Sequence, residues 1–288
     1  MSSDAPSSNS TPELARLENA ANLARNGARA HGAPLRLAHP QAVRAVFFDV
    51  GFTLLSSKPT IPEIARRVCA EVGIEADLGC LERQVPAAEA VIKSTVRQDP
   101  QAWADNAAVN AIWVGYFAAL LRPCVGKIGE DAFAALVARA VAVFDHYASY
   151  ALYPDALPVL GTLRGRGYTM GVVSDWGMSL VPIIAELGLT RYFDFAVVSA
   201  AVQHAKPHPT LFETALRRAD AIPDYAVHIG DSYVLDVLGA RSVGITPVLL
   251  DRPGKIDPAV VDVPVVRDLY GLLDLLEIPR PDHADGQA

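Results

Sequence analysis

The sequence predicts an α/β protein built on a doubly wound parallel sheet, with an all-helical domain inserted after its first strand. Three observations carry this. Through the second half of the chain, short apolar runs alternate with stretches of helical periodicity, the pattern of strands joined by crossover helices. The strongest of these runs end in polar groups: Asp49, Ser174 and Asp231. Between the first run and the rest lie about ninety residues with helical periodicity and no strong strand.

Taken in order, residues 1–40 read as a tail. Ser, Asn, Ala and Pro dominate it, few large apolar residues could anchor it, and it has room for a helix from Pro12 to Arg29. Val43 to Val50 is rich in Val and Phe and ends at Gly51, which suits a buried strand. The inserted domain, 57–150, holds expected helices at Glu63 to Val72, Leu81 to Gln98, Ala107 to Leu121 and Glu130 to Tyr150. Pro62, Pro100 and Pro123 mark their starts and stops.

After Tyr153-Pro154 the alternation begins. Helices are expected at Asp155 to Gly165, Leu180 to Leu187, Pro209 to Ala219 and Val234 to Val243. Strands are expected at Tyr168 to Ser174, Phe193 to Ser199, Tyr225 to Gly230 and Thr246 to Leu250. A further strand at Val263 to Val266 and a closing helix at Leu269 to Leu276 complete a core made of 41–56 and 151–280, with 281–288 as a second tail. Alternation of this kind means a parallel sheet covered on both faces.

At 288 residues the chain has enough length for one large domain or two modest ones. A net charge of −7 and the lack of a basic cluster argue against nucleic acid as a partner. No apolar stretch approaches the roughly 20 residues that cross a bilayer, and the N-terminus lacks the charged-then-apolar pattern of a secretory signal. Arg16, Arg25 and Arg29 suggest an organellar presequence, but Asp4, Glu13 and Glu18 weigh against it. Cys69, Cys80 and Cys124 lack metal-ligand spacing, and an odd count is a poor disulfide framework. The expectation is reduced thiols in a cytoplasmic protein.

In a parallel sheet the carboxyl ends of the strands share one edge, where open α/β sheets place their ligands. Asp49, at the end of the first strand, is placed to act as a nucleophile, to bind a divalent cation, or simply to shape a turn. Asp231 and Asp236 follow the strand Tyr225 to Gly230. They offer hard-cation ligands such as Mg2+ takes, or the helix-capping acids common at that position. Ser174 is either a phosphate-binding hydroxyl or an N-cap. Lys206, in a loop stiffened by Pro207 and Pro209, is either a charge-neutralising ammonium or a solvated surface lysine.

In combination these segments resemble the haloacid dehalogenase (HAD) superfamily. The matching residues are Asp49-Val50-Gly51-Phe52-Thr53-Leu54-Leu55, Val172-Val173-Ser174-Asp175, Lys206-Pro207-His208-Pro209, and Gly230-Asp231-Ser232 through Asp236-Val237-Leu238-Gly239-Ala240. The resemblance runs from about residue 44 to about 277. It implies a Rossmann-like core and identifies the helical insertion with a C1-type cap. By that resemblance Asp49 is the nucleophile. Asp49, the carbonyl of Gly51 and Asp231 hold Mg2+, with Asp236 supporting. Thr53 and Ser174 bind the phosphoryl group, and Lys206 screens charge.

Gly51 departs from the pattern. Phosphatases of this family carry there an aspartate that protonates the leaving group and then activates water, a function worth about 10²–10⁴-fold. Its loss hurts good leaving groups least. Dehalogenases and phosphonate hydrolases of the family also lack it. The Gly-Asp-Ser at Asp231 looks like a metal site, which favours phosphoryl chemistry. A phosphonate hydrolase needs a cap lysine, for which Lys58 and Lys93 are the candidates before Lys127. Asp175, His204 and His208 are candidate substitutes for the missing acid. Leu235 stands where a polar residue is common. Trp103, Trp113, Tyr116 and Phe117 either close over a substrate or pack the helical bundle.

The reading is a Mg2+-dependent hydrolase of small phosphate monoesters, with a small phosphorylated metabolite as partner. The alternatives are a catalytically weak or inactive phosphate-ligand binder, and a carbon–halogen hydrolase.

Overall fold

The computed structural model describes residues 35–281. The helix expected at Pro12 to Arg29 and nearly all of both expected tails lie outside the described residues. Strand β1 (Ala45–Phe48) is wholly buried and runs into Asp49. Its side chains alternate: Val46 and Phe48 join one apolar layer, Ala45 and Phe47 the other. Burial on both faces explains why this strand reads as an unbroken apolar run.

The chain then turns through β2 (Leu55–Ser57) into four helices, α1 (Ile61–Glu71), α2 (Leu78–Gln98), α3 (Asn106–Leu121) and α4 (Glu130–Phe144), and returns through β3 (Tyr150–Leu152). Polar side chains fix the first three helix starts. Thr60 and Glu63 form a capping box on α1, Asp77 accepts from the Cys80 N–H, and Asp105 accepts from the N–H groups of Ala107 and Ala108. Two expectations are corrected here. The last helix of the insertion stops at Phe144 rather than Tyr150, and Tyr150–Leu152 instead pairs antiparallel with Leu55–Ser57. This small ribbon joins insertion to core. In addition, Cys80 and Cys124 are joined by a disulfide between the start of α2 and the end of α3, leaving Cys69 as the free thiol among the described residues. The expectation of three reduced thiols is overturned, because helix packing brings the two Cα atoms to 5.9 Å.

The core continues with α5 (Ala156–Gly165), β4 (Thr169–Ser174), α6 (Leu180–Glu186), β5 (Phe195–Val198), α7 (Ser199–Val202), α8 (Pro209–Ala219) and β6 (Ala226–Gly230). A π-helical turn, Tyr233–Val237, leads into α9 (Leu238–Ser242), β7 (Thr246–Leu250), β8 (Val265–Val266) and α10 (Tyr270–Leu275). The six-stranded sheet has the order β5-β4-β1-β6-β7-β8, with every pairing parallel. Helices α5, α6 and α10 pack on one face, through residues such as Leu160, Ile184 and Leu273. On the other face α8 and α9 pack through Leu211, Phe212 and Ala240. Strand order reverses at β1, so the crevice at its carboxyl end is the topological switch point.

The helical insertion docks over that crevice. Ser199 Oγ donates to the Trp103 carbonyl (2.6 Å), the Ala205 N–H donates to Gln101 Oε1 (2.9 Å), and the Met178 N–H donates to Asn106 Oδ1 (2.9 Å).

Candidate active site

The strand ends deliver the expected groups to one place. Asp49 follows β1, Ser174 closes β4, and Asp231 follows β6. Lys206 reaches them from the loop before α8. Its Nζ donates to Asp49 Oδ1 (2.7 Å) and to Asp236 Oδ1 (2.6 Å), with the lysine 3% exposed. Ser174 Oγ also donates to Asp49 Oδ1 (3.1 Å). Asp49 Oδ2 accepts no hydrogen bond from the described residues, so one carboxylate oxygen is anchored and the other is free.

Asp236 is brought back toward the strand by the π-helical turn, in which Ser232 O accepts from the N–H groups of both Asp236 and Val237. Its Oδ1 also accepts from His228 Nε2 (2.9 Å), and its Oδ2 accepts from the Ser232 N–H (3.0 Å). His228 is fully buried within β6. An ionised carboxylate only accepts, so the imidazole carries its proton on Nε2. Burial raises the Asp236 pKa, but the Lys206 ammonium and His228 outweigh it, and the carboxyl sits well below the usual range. Burial likewise disfavours the Lys206 charge, yet Asp236, Asp49 and Asp175 overcome this and hold its pKa above the ordinary lysine value.

Among the described residues the Asp231 carboxylate has no side-chain partner and accepts only from its own backbone N–H. Its recess into the site, with Asp49 and Asp236 nearby, pushes it up to about 7. Three carboxylates against one ammonium leave excess negative charge. No group of three or more His, Cys, Asp or Glu among the described residues is arranged to hold a metal ion. A Mg2+ site does not require one, because this ion keeps several waters and takes one or two carboxylates plus phosphate oxygens. The donor set therefore fits: Asp231 and Asp49 offer carboxylate oxygens at the cavity, and Gly51 offers its carbonyl. Asp236 is the least available of the expected ligands, since protein groups engage both its oxygens. The Thr53 hydroxyl is buried without a partner.

A cavity of about 770 Å³ opens above these groups. Asp49, Gly51, Ser174, Asp175, Lys206, Asp231 and Asp236 line its core side. The insertion supplies Ile92, Lys93, Val96, Arg97, Pro100, Trp103 and Trp113. The four cap aromatics thus divide. Tyr116 and Phe117 are buried in the bundle, while Trp103 and Trp113 are half-buried and face the cavity. Trp176 and Leu235 extend the apolar wall from the core. A Cβ at position 51 would stand 3.5 Å from Trp176 Cζ3, an ordinary contact, so nothing fills the place of the missing acid.

Of the substitute acids, Asp175 borders the cavity, and its Oδ1 accepts from the Lys206 N–H (2.9 Å), positioning that loop. Burial pushes Asp175 up to about 7, and its Oδ2 has no partner. The His204 and His208 rings meet at a tilt, with centroids 4.2 Å apart, and do not line the cavity. Lys93 lines it and Lys58 does not. The roles of His228 and Trp176 carry no signal in the sequence. A histidine inside an apolar strand reads as core, and nothing local marks which way Trp176 points.

The chain has clear relatives. The sequence profile of the haloacid dehalogenase-like hydrolases matches residues 43–244. The human haloacid dehalogenase-like hydrolase domain-containing protein 3 is 28% identical over 252 residues, 85% of this chain and 99% of that protein. A glyceraldehyde 3-phosphate phosphatase of Methanopyrus kandleri is 31% identical over 217 residues, 73% of this chain and 84% of that protein. The crystal structure of a HAD phosphatase from Thermococcus onnurineus superposes with a TM-score of 0.56 at 26% identity, over 83% of this chain and all of that one.

Proposed function

The chain belongs to the haloacid dehalogenase-like hydrolases, and on that premise we propose that it hydrolyses small phosphate monoesters through an aspartyl-phosphate on Asp49. The observation that carries this reading is the state of the Asp49 carboxylate. Oδ1 is anchored by Lys206 and Ser174, while Oδ2 is unbonded beside the cavity. A nucleophile held in this way attacks with one oxygen and keeps the other neutralised.

In the first step Asp49 Oδ2 attacks phosphorus, the P–O ester bond breaks, and the leaving oxygen departs with the bond's electrons. In the second, water attacks phosphorus, the acyl–phosphate bond breaks, inorganic phosphate leaves, and Asp49 is restored. Lys206 stays charged throughout and offsets charge on Asp49 and the phosphoryl oxygens. The Thr53 hydroxyl and Ser174 Oγ would bind those oxygens, Ser174 by turning from Asp49. Asp49 through Oδ1, on the side Ser174 vacates, the Gly51 carbonyl and Asp231 would hold Mg2+, leaving Oδ2 to attack, and Asp236 would support them by fixing Lys206 and the Ser232 N–H. The ion would supply charge stabilisation to the transferring phosphoryl group. The phosphatase named among the relatives supports phosphoryl transfer over other reactions of the family.

Gly51 and the apolar wall favour one second reading, a carbon–halogen hydrolase, since halide needs no proton to leave. The excess carboxylate charge around Asp231 weighs against it. The test is p-nitrophenyl phosphate hydrolysis with Mg2+, with EDTA, and by Asp49→Asn. Mg2+-dependent turnover lost in the variant supports the phosphatase. Halide release from 2-haloacids that persists in EDTA would replace it with the dehalogenase. Phosphate-dependent stabilisation without turnover would leave a binder.

A further inference from the structure

Two independent features of the cavity narrow the substrate. The first is its wall. Ile92, Val96, Trp103, Trp113, Trp176 and Leu235 surround the space above Asp49, so three indole rings face a ligand. Trp103 and Trp113 meet edge to face at 6.1 Å, which leaves a rigid aromatic surface. At the core side Phe52 adds a fourth ring. It is 63% exposed and held at a φ of 55°, a left-handed conformation that a bulky residue rarely adopts. The second feature is Gly51, which leaves the place of the family's acid without a side chain.

These features point the same way. A phenol loses its proton near pH 10, as tyrosine does, whereas an alkoxide is about as basic as hydroxide, whose parent water has a pKa of about 15.7. A site lacking the acid at position 51 serves the first better than the second. A pocket walled by indoles binds a flat aromatic group and gives little to a polyol.

A third feature adds charge. Lys93 and Arg97 lie one turn apart on α2, beside the Ile92 and Val96 row that faces the cavity, and both line it. Lys93 is paired with Glu89 at 3.4 Å on the exposed surface. The Arg97 guanidinium has no acidic partner among the described residues. Neither cation is needed by the phosphoryl group, which Lys206 already serves from the other wall.

We infer that the substrate is an aryl phosphate whose aromatic leaving group carries a second anionic group, such as a carboxylate. The inference rests on the phosphoryl-transfer reading above and adds the leaving group to it. The phosphate sits at Asp49 and Lys206, the ring lies among Trp103, Trp113 and Trp176, and the second anion meets Arg97 and Lys93.

Phosphonates test this by binding alone, because their P–C bond does not demand a leaving-group proton. Calorimetry on the full chain with Mg2+ should rank 4-phosphonobenzoate above phenylphosphonate above methylphosphonate. The ring is expected to contribute about tenfold in Kd or more, and the carboxylate roughly a further threefold. Arg97→Gln combined with Lys93→Gln should erase the carboxylate increment, and Trp113→Leu should reduce the ring increment. Equal binding of methyl- and phenylphosphonate, no binding of any phosphonate, or a carboxylate increment that survives loss of both cations overturns the inference. Acetyl phosphate turnover, measured alongside, reads the reaction separately. If it is absent while the ranking holds, the phosphatase reading has failed and the aromatic, anion-bearing ligand class stands.

Discussion

The carboxylate of Asp236 occupies the space that a side chain at position 230 would need. A Cβ built on Gly230 would stand 2.2 Å from Asp236 Cγ. Gly230 is therefore what lets the acid fold back to within 2.6 Å of Lys206 Nζ. Gly230→Ala should push Asp236 aside and leave Lys206 held by Asp49 alone. The expected outcome is a fall in kcat on the order of 10²-fold with a cooperative thermal transition retained. Unchanged kcat would show that Asp236 does not position the lysine.

Lys206 is the hub of that arrangement, and its removal is the harsher change. Lys206→Met leaves Asp49 and Asp236 facing each other with no cation in a buried site. Breaking a buried ion pair in this way costs about 3–5 kcal/mol, so urea unfolding should show a clear loss of stability as well as loss of turnover. A variant as stable as the parent would mean that the carboxylates relax into water or take up protons more readily than their burial suggests.

Much of this arrangement is legible in the amino-acid order alone. Thr246–Leu250 and Pro209–Ala219 appear at the expected residues, because a strand buried on both faces is an unbroken apolar run and a proline at the first helical position marks a start. Asp49, Ser174, Lys206 and Asp231 converge because parallel strands share a carboxyl edge. The features that escape such a reading depend on contacts remote in sequence. Leu55 pairs with Leu152, and strands of three residues show no period. Cys80 meets Cys124 only once α2 and α3 pack. The anchoring of Asp236 by His228 needs both the Gly230 gap and the π-helical turn. Leu235 reads as a lost polar contact in the sequence but as part of an apolar wall in space.

The turn bearing Thr53 is tied to the far end of the core. Arg252 donates to both oxygens of Asp155 (3.0 Å each) and to the Thr53 carbonyl (2.7 Å), and its guanidinium lies 3.7 Å from the Tyr153 ring centroid. Asp155 also accepts from the Leu269 N–H (2.7 Å). Asp155→Ala should therefore cost about 3 kcal/mol, read as a lowered urea midpoint. Adding Arg252→Met should restore part of the loss, since an apolar pair is tolerated where half an ion pair is not. A double variant less stable than the single one would mean that Arg252 matters through Thr53 and Tyr153 instead.

The disulfide makes a direct chemical prediction. Denatured without reductant, the chain should show one reactive thiol, Cys69, and after reduction three. The closed loop spans 44 residues of separation, for which chain entropy gives about 4 kcal/mol as an upper expectation. Cys80→Ser should lower the thermal midpoint accordingly. Three thiols without reductant would restore the expectation drawn from the odd cysteine count.

The glycine at position 51 can be tested by filling it. A Cβ there meets only Trp176 Cζ3, at 3.5 Å, so an aspartate is sterically admissible and would point toward the cavity. If acid catalysis is what the site lacks, Gly51→Asp should raise kcat/KM for alkyl phosphates by about 10²-fold and for p-nitrophenyl phosphate far less, flattening the dependence of rate on leaving-group pKa. The added carboxylate joins Asp49, Asp231 and Asp236 around one ammonium, so the variant should also demand more Mg2+ for half-maximal activity or stability. A gain that is uniform across leaving groups would mean that Gly51 limits the parent through packing against Trp176, and that the missing proton donor is supplied from elsewhere, with Asp175 as the group to replace next.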